Sequence, residues 1–103
     1  METYKVTVTE AGAIRWYNKD DELHRLGGPA IESTNGYKFW YQNGKCHRLG
    51  GPAIEFANGD KFWHKNGPLH RLDGPAIEYV DGNKFWYIED VKYTEEEYCH
   101  EIG

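Results

Sequence analysis

Three histidine-arginine pairs recur in this 103-residue sequence at intervals of 23 residues. Each pair opens the segment HRLGGPAIE or its near copy HRLDGPAIE. The pairs are His24-Arg25, His47-Arg48 and His70-Arg71. Three of the chain's four arginines lie in these pairs, although lysine is common elsewhere. This choice indicates planar, multidentate hydrogen bonding rather than charge alone, and the same groups bind phosphates and carboxylates.

A tryptophan follows each of these histidines after 16 residues. These tryptophans are Trp40, Trp63 and Trp86, and Trp16 precedes them as part of a partial copy. Trp and Arg are the residues most enriched at binding hot spots, and aromatic rings can also stack on bases. The predicted binding residues, for a protein partner or an anion, are therefore His24, Arg25, His47, Arg48, His70, Arg71, Trp40, Trp63 and Trp86.

Two roles remain open for the histidine-arginine pairs. In the structural role, each guanidinium joins turn carbonyls or a carboxylate of an adjacent repeat, as residues that define a repeat usually do. In the binding role, the pairs lie two strands apart, roughly 10 Å, and meet separate phosphates or a row of carboxylates on a partner.

No catalytic residue, metal site or cofactor is predicted. The available acids and bases, such as Glu55, His47 and His64, are mostly periodic, whereas an active site needs one constellation with distinct roles. A spacing of about 10 Å is too wide for one metal ion to bind all three repeated histidines. Cys46 and Cys99 form no metal or redox motif, which favours a reducing, cytoplasmic setting.

Turn signals divide the chain into β-hairpins. Asn-Gly or Asp-Gly occurs in TNGY (34–37), ANGD (57–60) and VDGN (80–83), and second turns follow at 42–45 and 65–68. A three-residue loop with glycine in the left-handed conformation places opposite charges and apolar residues across from each other. The expected pairs are Glu32-Lys38, Glu55-Lys61 and Glu78-Lys84, with Ile31-Phe39, Ile54-Phe62 and Ile77-Phe85.

This register gives the sheet two partly apolar faces. One face carries the isoleucines and phenylalanines together with Phe56 and Tyr79, and the other carries alanine-tryptophan and glutamate-lysine pairs. One layer cannot bury both faces. We therefore expect either a curled sheet or self-association, sheet against sheet or edge against edge.

The fold class predicted is all-β: a single-layer, twisted antiparallel sheet of tandem β-hairpin repeats with a 23-residue period and a short C-terminal helix. Residues 1–103 form one domain. Its parts are a partial repeat at 4–23, repeats at 24–46, 47–69 and 70–92, and a C-terminal cap at 93–103. In the cap, Thr94 and Glu97 have the spacing of a capping box, which predicts the helix.

Charge and hydropathy exclude several classes of partner. The net charge of −5 disfavours nucleic acid, which attracts basic proteins. No run approaches the roughly 18 apolar residues of a membrane span, and the first ten residues lack the apolar region of a secretory signal. We expect neither a membrane partner nor a secretory leader.

The pattern W-x-x-N-G-x-x-H-x-x-G-x-A, followed by a turn glycine and another tryptophan, resembles the MORN repeat over residues 10–93. In one copy the matching residues are Trp40, Asn43, Gly44, His47, Gly51 and Gly59. MORN repeats usually have His-Gly where this chain has His-Arg-Leu-x-Gly-Pro. In this respect the chain is similar to the HRxDGPA variant of phage and large-virus proteins. The resemblance implies a hairpin solenoid that makes protein contacts, often as a dimer.

Two functions are expected from these observations. The first is a non-enzymatic, self-associating protein-interaction module, which in a virus would bind or inhibit a host protein in the host cytoplasm. The alternative is a small-ligand protein that sequesters an anionic nucleotide at an oligomer interface, with Arg for the phosphate and Trp for the base.

Overall fold

Short antiparallel strands and one helix make up the computed structural model, which describes residues 3–103. The strands are β1 (Lys5–Val8), β2 (Ile14–Tyr17), β3 (Ile31–Glu32), β4 (Lys38–Phe39), β5 (Tyr41–Gln42), β6 (Lys45–Cys46), β7 (Ile54–Glu55), β8 (Lys61–Phe62), β9 (Ile77–Glu78), β10 (Lys84–Ile88) and β11 (Val91–Tyr93). The helix α1 is Glu95–Ile102. A main sheet has the strand order β1-β2-β3-β4-β7-β8-β9-β10-β11, and β5 pairs with β6 in a second sheet. The predicted antiparallel sheet with a short C-terminal helix is confirmed.

The predicted strand register is confirmed in the three hairpins for which it was given. Glu32 lies opposite Lys38 and Ile31 opposite Phe39, and the two following hairpins have the same pairing. The turn has the expected geometry, because Gly36 has a φ of +91° and the Ser33 amide donates to the Tyr37 carbonyl at 3.0 Å. Adjacent hairpins continue the pattern, so that Glu and Lys alternate across the sheet.

Most strands have only two residues, and the break between β4 and β5 divides the strands into two sheets. The Trp40 amide donates to the Ala53 carbonyl of the next hairpin at 2.7 Å, while the Trp40 carbonyl accepts from the His47 amide at 3.0 Å. The tryptophan thus marks the point where the chain passes from the main sheet to the small one. In the last repeat β10 continues unbroken and pairs with β11 instead.

Aromatic rings line one face of the main sheet, as expected. Phe56 and Tyr79 join the row edge to face, with centroid distances of 5.3 Å from Phe56 to Phe62 and 5.9 Å from Phe62 to Tyr79. Tyr79 continues the row to Phe85 at 5.8 Å. Each such contact stabilises by about 0.5–1.5 kcal/mol beyond its buried area.

The most buried positions are small. Ala30, Ala53 and Ala76 have no exposed surface. Each lies where a histidine-arginine loop leads into the following strand. The Ala30 amide donates to the Phe39 carbonyl and the Ala53 amide to the Phe62 carbonyl, both at 2.8 Å. A larger side chain would have to displace its neighbours at these positions.

A tyrosine from each end of the chain contacts an outer loop. The Tyr4 hydroxyl accepts from the Leu26 amide at 3.0 Å. The Tyr98 hydroxyl on α1 donates to the Arg71 carbonyl at 2.5 Å and accepts from the Gly74 amide. The predicted capping box is confirmed, because Thr94 and Glu97 exchange hydrogen bonds at 2.9 and 3.1 Å. Among residues 3–103 no helix has the length and apolar character needed to cross a bilayer.

Candidate functional site: the histidine-arginine loops

Each repeated arginine lies over a tryptophan ring of the preceding hairpin. Arg25 covers Trp16, Arg48 covers Trp40 and Arg71 covers Trp63. In all three pairs the guanidinium Cζ is 3.9 Å from the ring centroid. A guanidinium at this distance is attracted by the ring quadrupole and shields the ring from water. The loops therefore cover three of the four tryptophans, which is how a single sheet layer shields most of its second apolar face.

The same guanidiniums are hydrogen-bonded within their own loops. Each Nη1 donates to a proline carbonyl four residues later, at 3.2 Å for Arg25, 3.1 Å for Arg48 and 3.0 Å for Arg71. Each also lies near a glutamate seven residues later, and the distance from Arg71 to Glu78 is 2.7 Å. These contacts support the structural role, although each carboxylate belongs to the arginine's own repeat and not to an adjacent repeat as expected. An added anion would have to compete with a carboxylate that is already in place.

Asp73 adds a further partner in the third loop, where the other loops have glycine. Arg71 Nε donates to the Asp73 carboxylate at 2.8 Å. This hydrogen bond lowers the pKa of Asp73 below its usual value. Arg71 is consequently the most constrained of the three, with 19% of its side chain exposed.

The glycine that precedes each proline lies against the guanidinium. A Cβ built on Gly28 would be 3.0 Å from Arg25 Cζ, and one on Gly74 would be 2.8 Å from Arg71 Cζ. The neighbouring Gly27 has no atom within 4 Å of such a Cβ. The second glycine of the motif thus leaves space for the stacked arginine.

Gly28→Ala should therefore lower the free energy of unfolding by about 1–2 kcal/mol, because the new methyl group pushes Arg25 off the Trp16 ring. Gly27→Ala is the matched control, and it should leave stability equal to or slightly above that of the wild type. Urea unfolding of the two variants measures the difference. Equal stabilities would contradict the close packing of Gly28 against the arginine.

Each repeated histidine joins its loop to the turn of the next hairpin. His24 Nδ1 accepts from the Asn43 amide and His47 Nδ1 from the Asn66 amide, both at 2.9 Å. His70 Nδ1 accepts from the Glu89 amide at 3.1 Å. An accepting Nδ1 requires a neutral ring with its proton on Nε2. Burial and the nearby Lys65 charge lower the pKa of His47, which favours this neutral form.

The structure brings the predicted site residues together as stacks that cross from one repeat to the next. Trp16 belongs to the row of stacked tryptophans, although it was outside the predicted binding set. Its spacing differs by one residue, because it precedes His24 by eight residues whereas Trp40 precedes His47 by seven. Trp86 differs, because Thr94 occupies the position 23 residues after Arg71. Trp86 instead borders a pocket beside the start of α1.

Sequence reasoning missed the leucine that follows each repeated arginine. Leu26, Leu49 and Leu72 are 57%, 72% and 55% exposed. The signal was present, because leucine recurs in all three copies of the motif. Between the first two loops lies a groove of about 540 Å³, which Trp40 and both leucines help to line.

The two cysteines are free thiols in different surroundings. Burial raises the pKa of the Cys46 thiol to about 12, which keeps it protonated. Cys99 is exposed on α1. Within residues 3–103, no three side chains of His, Cys, Asp or Glu cluster in a way that could hold a metal ion.

Comparisons with protein-family models, with curated proteins and with solved structures give no match to this chain. The MORN-like resemblance therefore stays a prediction from sequence.

Proposed function

We propose that this protein is a non-enzymatic interaction module that self-associates through the row of exposed leucines on its histidine-arginine loops. We call Leu26, Leu49 and Leu72 the leucine row. The observation that carries the proposal is that three large apolar side chains, each more than half exposed, recur at one position of three loops. Large apolar side chains arranged together at a surface usually mark a contact with another molecule.

The sheet order supports an even spacing of the row. The loops lead into β3, β7 and β9, and one strand separates each of these from the next. Strands lie about 4.8 Å apart, so neighbouring leucines are roughly 10 Å from each other. An evenly spaced row of three is self-complementary about a two-fold axis at its centre, Leu49. A second copy turned by that axis matches Leu26 with Leu72, as closed dimers require.

The loops are well suited to present such a row without large loss of entropy. Their arginines are stacked and hydrogen-bonded, and their histidines are joined to the next hairpin. A preorganised surface loses little conformational entropy on binding. The groove of about 540 Å³ between the first two loops supplies a concave surface for a leucine of the second copy.

Leu49→Glu should weaken self-association by at least about tenfold, because it places a charge at the centre of an apolar contact. Val80→Glu is the matched control, since Val80 is 64% exposed but lies outside the loops. Light scattering across a concentration series measures both variants. A monomeric wild type, or equal weakening by the two variants, would contradict the proposal.

Salt dependence gives a second measure of the same contact. The net charge of −5 makes two copies repel each other, and salt screens this repulsion. Self-association through leucines should therefore strengthen as salt is added.

From the sequence resemblance, we extend the proposal to a host protein as the further partner of the assembled module.

A further inference from the structure

We propose that the pocket at Trp86 is a docking site for an arginine-bearing, extended segment of a partner protein. This inference builds on the proposed interaction function and names the chemistry of a second contact, separate from the leucine row. The pocket has a volume of about 300 Å³ and lies between the end of the main sheet and the start of α1.

The other three tryptophans show what such a ring accepts in this fold. Trp16, Trp40 and Trp63 each carry an arginine guanidinium at 3.9 Å. At the fourth ring, the position of the arginine is taken by Thr94, which caps α1. Threonine is too short to reach across a ring. Trp86 and Thr94 both line the pocket, so the cavity adjoins the position at which the sequence interval would place an arginine.

The strand edge beside the pocket also lacks the neighbour that the inner hairpins have. In the inner hairpins, Lys38-Phe39 and Lys61-Phe62 pair with an Ile-Glu strand on both sides. Lys84 and Phe85 pair with β9 alone, because β11 begins its pairing at Trp86. Within residues 3–103, no strand lies along the outer edge of Lys84 and Phe85. An open edge of this kind accepts an extended peptide by strand addition.

The charged residues that line the pocket are compatible with a guanidinium. Glu95 and Glu97 contribute carboxylates, and Lys84 and Lys92 balance them. Lys92 is already placed over Phe85, with its Nζ 4.6 Å from the ring centroid. Lys84 lies opposite Glu78 in the sheet. Glu97 already accepts from the Thr94 amide in the capping box. Glu95 is therefore the carboxylate that can meet an incoming arginine, as Glu32 meets Arg25 at 3.1 Å in the first loop.

The chain's own repeat supplies the probe, a capped peptide of sequence HRLGGPAIE as in residues 24–32. Binding can be followed by NMR through the indole N–H resonances of the protein's four tryptophans. The Trp86→Phe variant identifies which of these resonances belongs to Trp86. We expect saturable shifts of the Trp86 indole at peptide concentrations up to the millimolar range. The other three indoles, which already carry arginines, should shift much less.

A peptide with citrulline in place of arginine is the matched control, because it keeps the shape and loses the charge. We expect it to bind about two- to thirty-fold more weakly, the range of a cation–π contact. Equal affinities, or a Trp86 signal that does not move, would overturn the inference. Leu49→Glu should leave peptide binding unchanged, so a failure here and a failure of the leucine row can be told apart.

Discussion

Arg71→Ala should lower the free energy of unfolding by about 3 kcal/mol. The variant loses the stack on Trp63, worth about 0.5–2 kcal/mol, and charged hydrogen bonds worth about 1.5–3 kcal/mol before coupling between them is considered. It also leaves the Pro75 carbonyl and the Glu78 carboxylate without their donor. Domains of this size have roughly 5–15 kcal/mol of total stability, so the loss is a large share. The midpoint temperature of thermal unfolding should fall by roughly 12–24 °C.

Two substitutions show whether the planar guanidinium is responsible. Arg71→Lys keeps the charge but loses the flat, forked donor set, and it should fall between wild type and alanine. Arg15→Ala removes the remaining arginine, which is exposed on β2 and outside the loops, and should change stability by less than about 0.5 kcal/mol. If Arg71→Ala were as stable as Arg15→Ala, the structural role would be wrong, and the anion-binding role would explain the repeated arginines better.

The sequence predicted the strand register because each hairpin carries its own evidence. Glu32 and Lys38 are opposite charges, Ile31 and Phe39 are apolar, and only one turn length brings both pairs together. The capping residues Thr94 and Glu97 likewise act within one turn of helix. Local pairs of this kind can be inferred from spacing alone.

The contacts between repeats could not be predicted in the same way. Spacing placed the arginines and tryptophans in regular rows, but each guanidinium covers the ring of the preceding hairpin, which depends on how the loop folds back. The turn at 42–45 was predicted, but its separation into a small sheet of its own was not, because Tyr41–Gln42 is too short to show periodicity. Leucine is usually a buried residue type, so the sequence alone does not indicate that Leu49 is exposed. The loop conformation leaves it 72% exposed.

His47→Ala should lower the free energy of unfolding by about 2 kcal/mol, and acid should have a related effect on the wild type. His47 is only 7% exposed, and its Nδ1 accepts the amide of Asn66, which has a φ of +55° in the turn. Without the ring, the Asn66 amide loses its acceptor and a cavity remains where the buried imidazole was. Urea unfolding measures the loss, and His64→Ala is a control, because His64 lies outside the repeated loops and its ring Nδ1 is hydrogen-bonded to the Gly67 carbonyl of its own turn.

The pH dependence follows from the lowered pKa of His47, which arises from burial first and from the charge of Lys65 second. The unfolded chain binds a proton at His47 more readily than the folded protein does, so stability rises with pH in this range. The contribution is complete above the unfolded pKa of about 6.5 and is lost as the pH falls through the folded pKa. Protonation also turns Nδ1 into a donor that faces the Asn66 amide.

The His47→Gln variant has no titrating group at position 47, so its loss of stability from about pH 7.5 to about pH 5 should be smaller than that of wild type. Equal slopes for the two proteins would show that His47 does not couple the loop to acid.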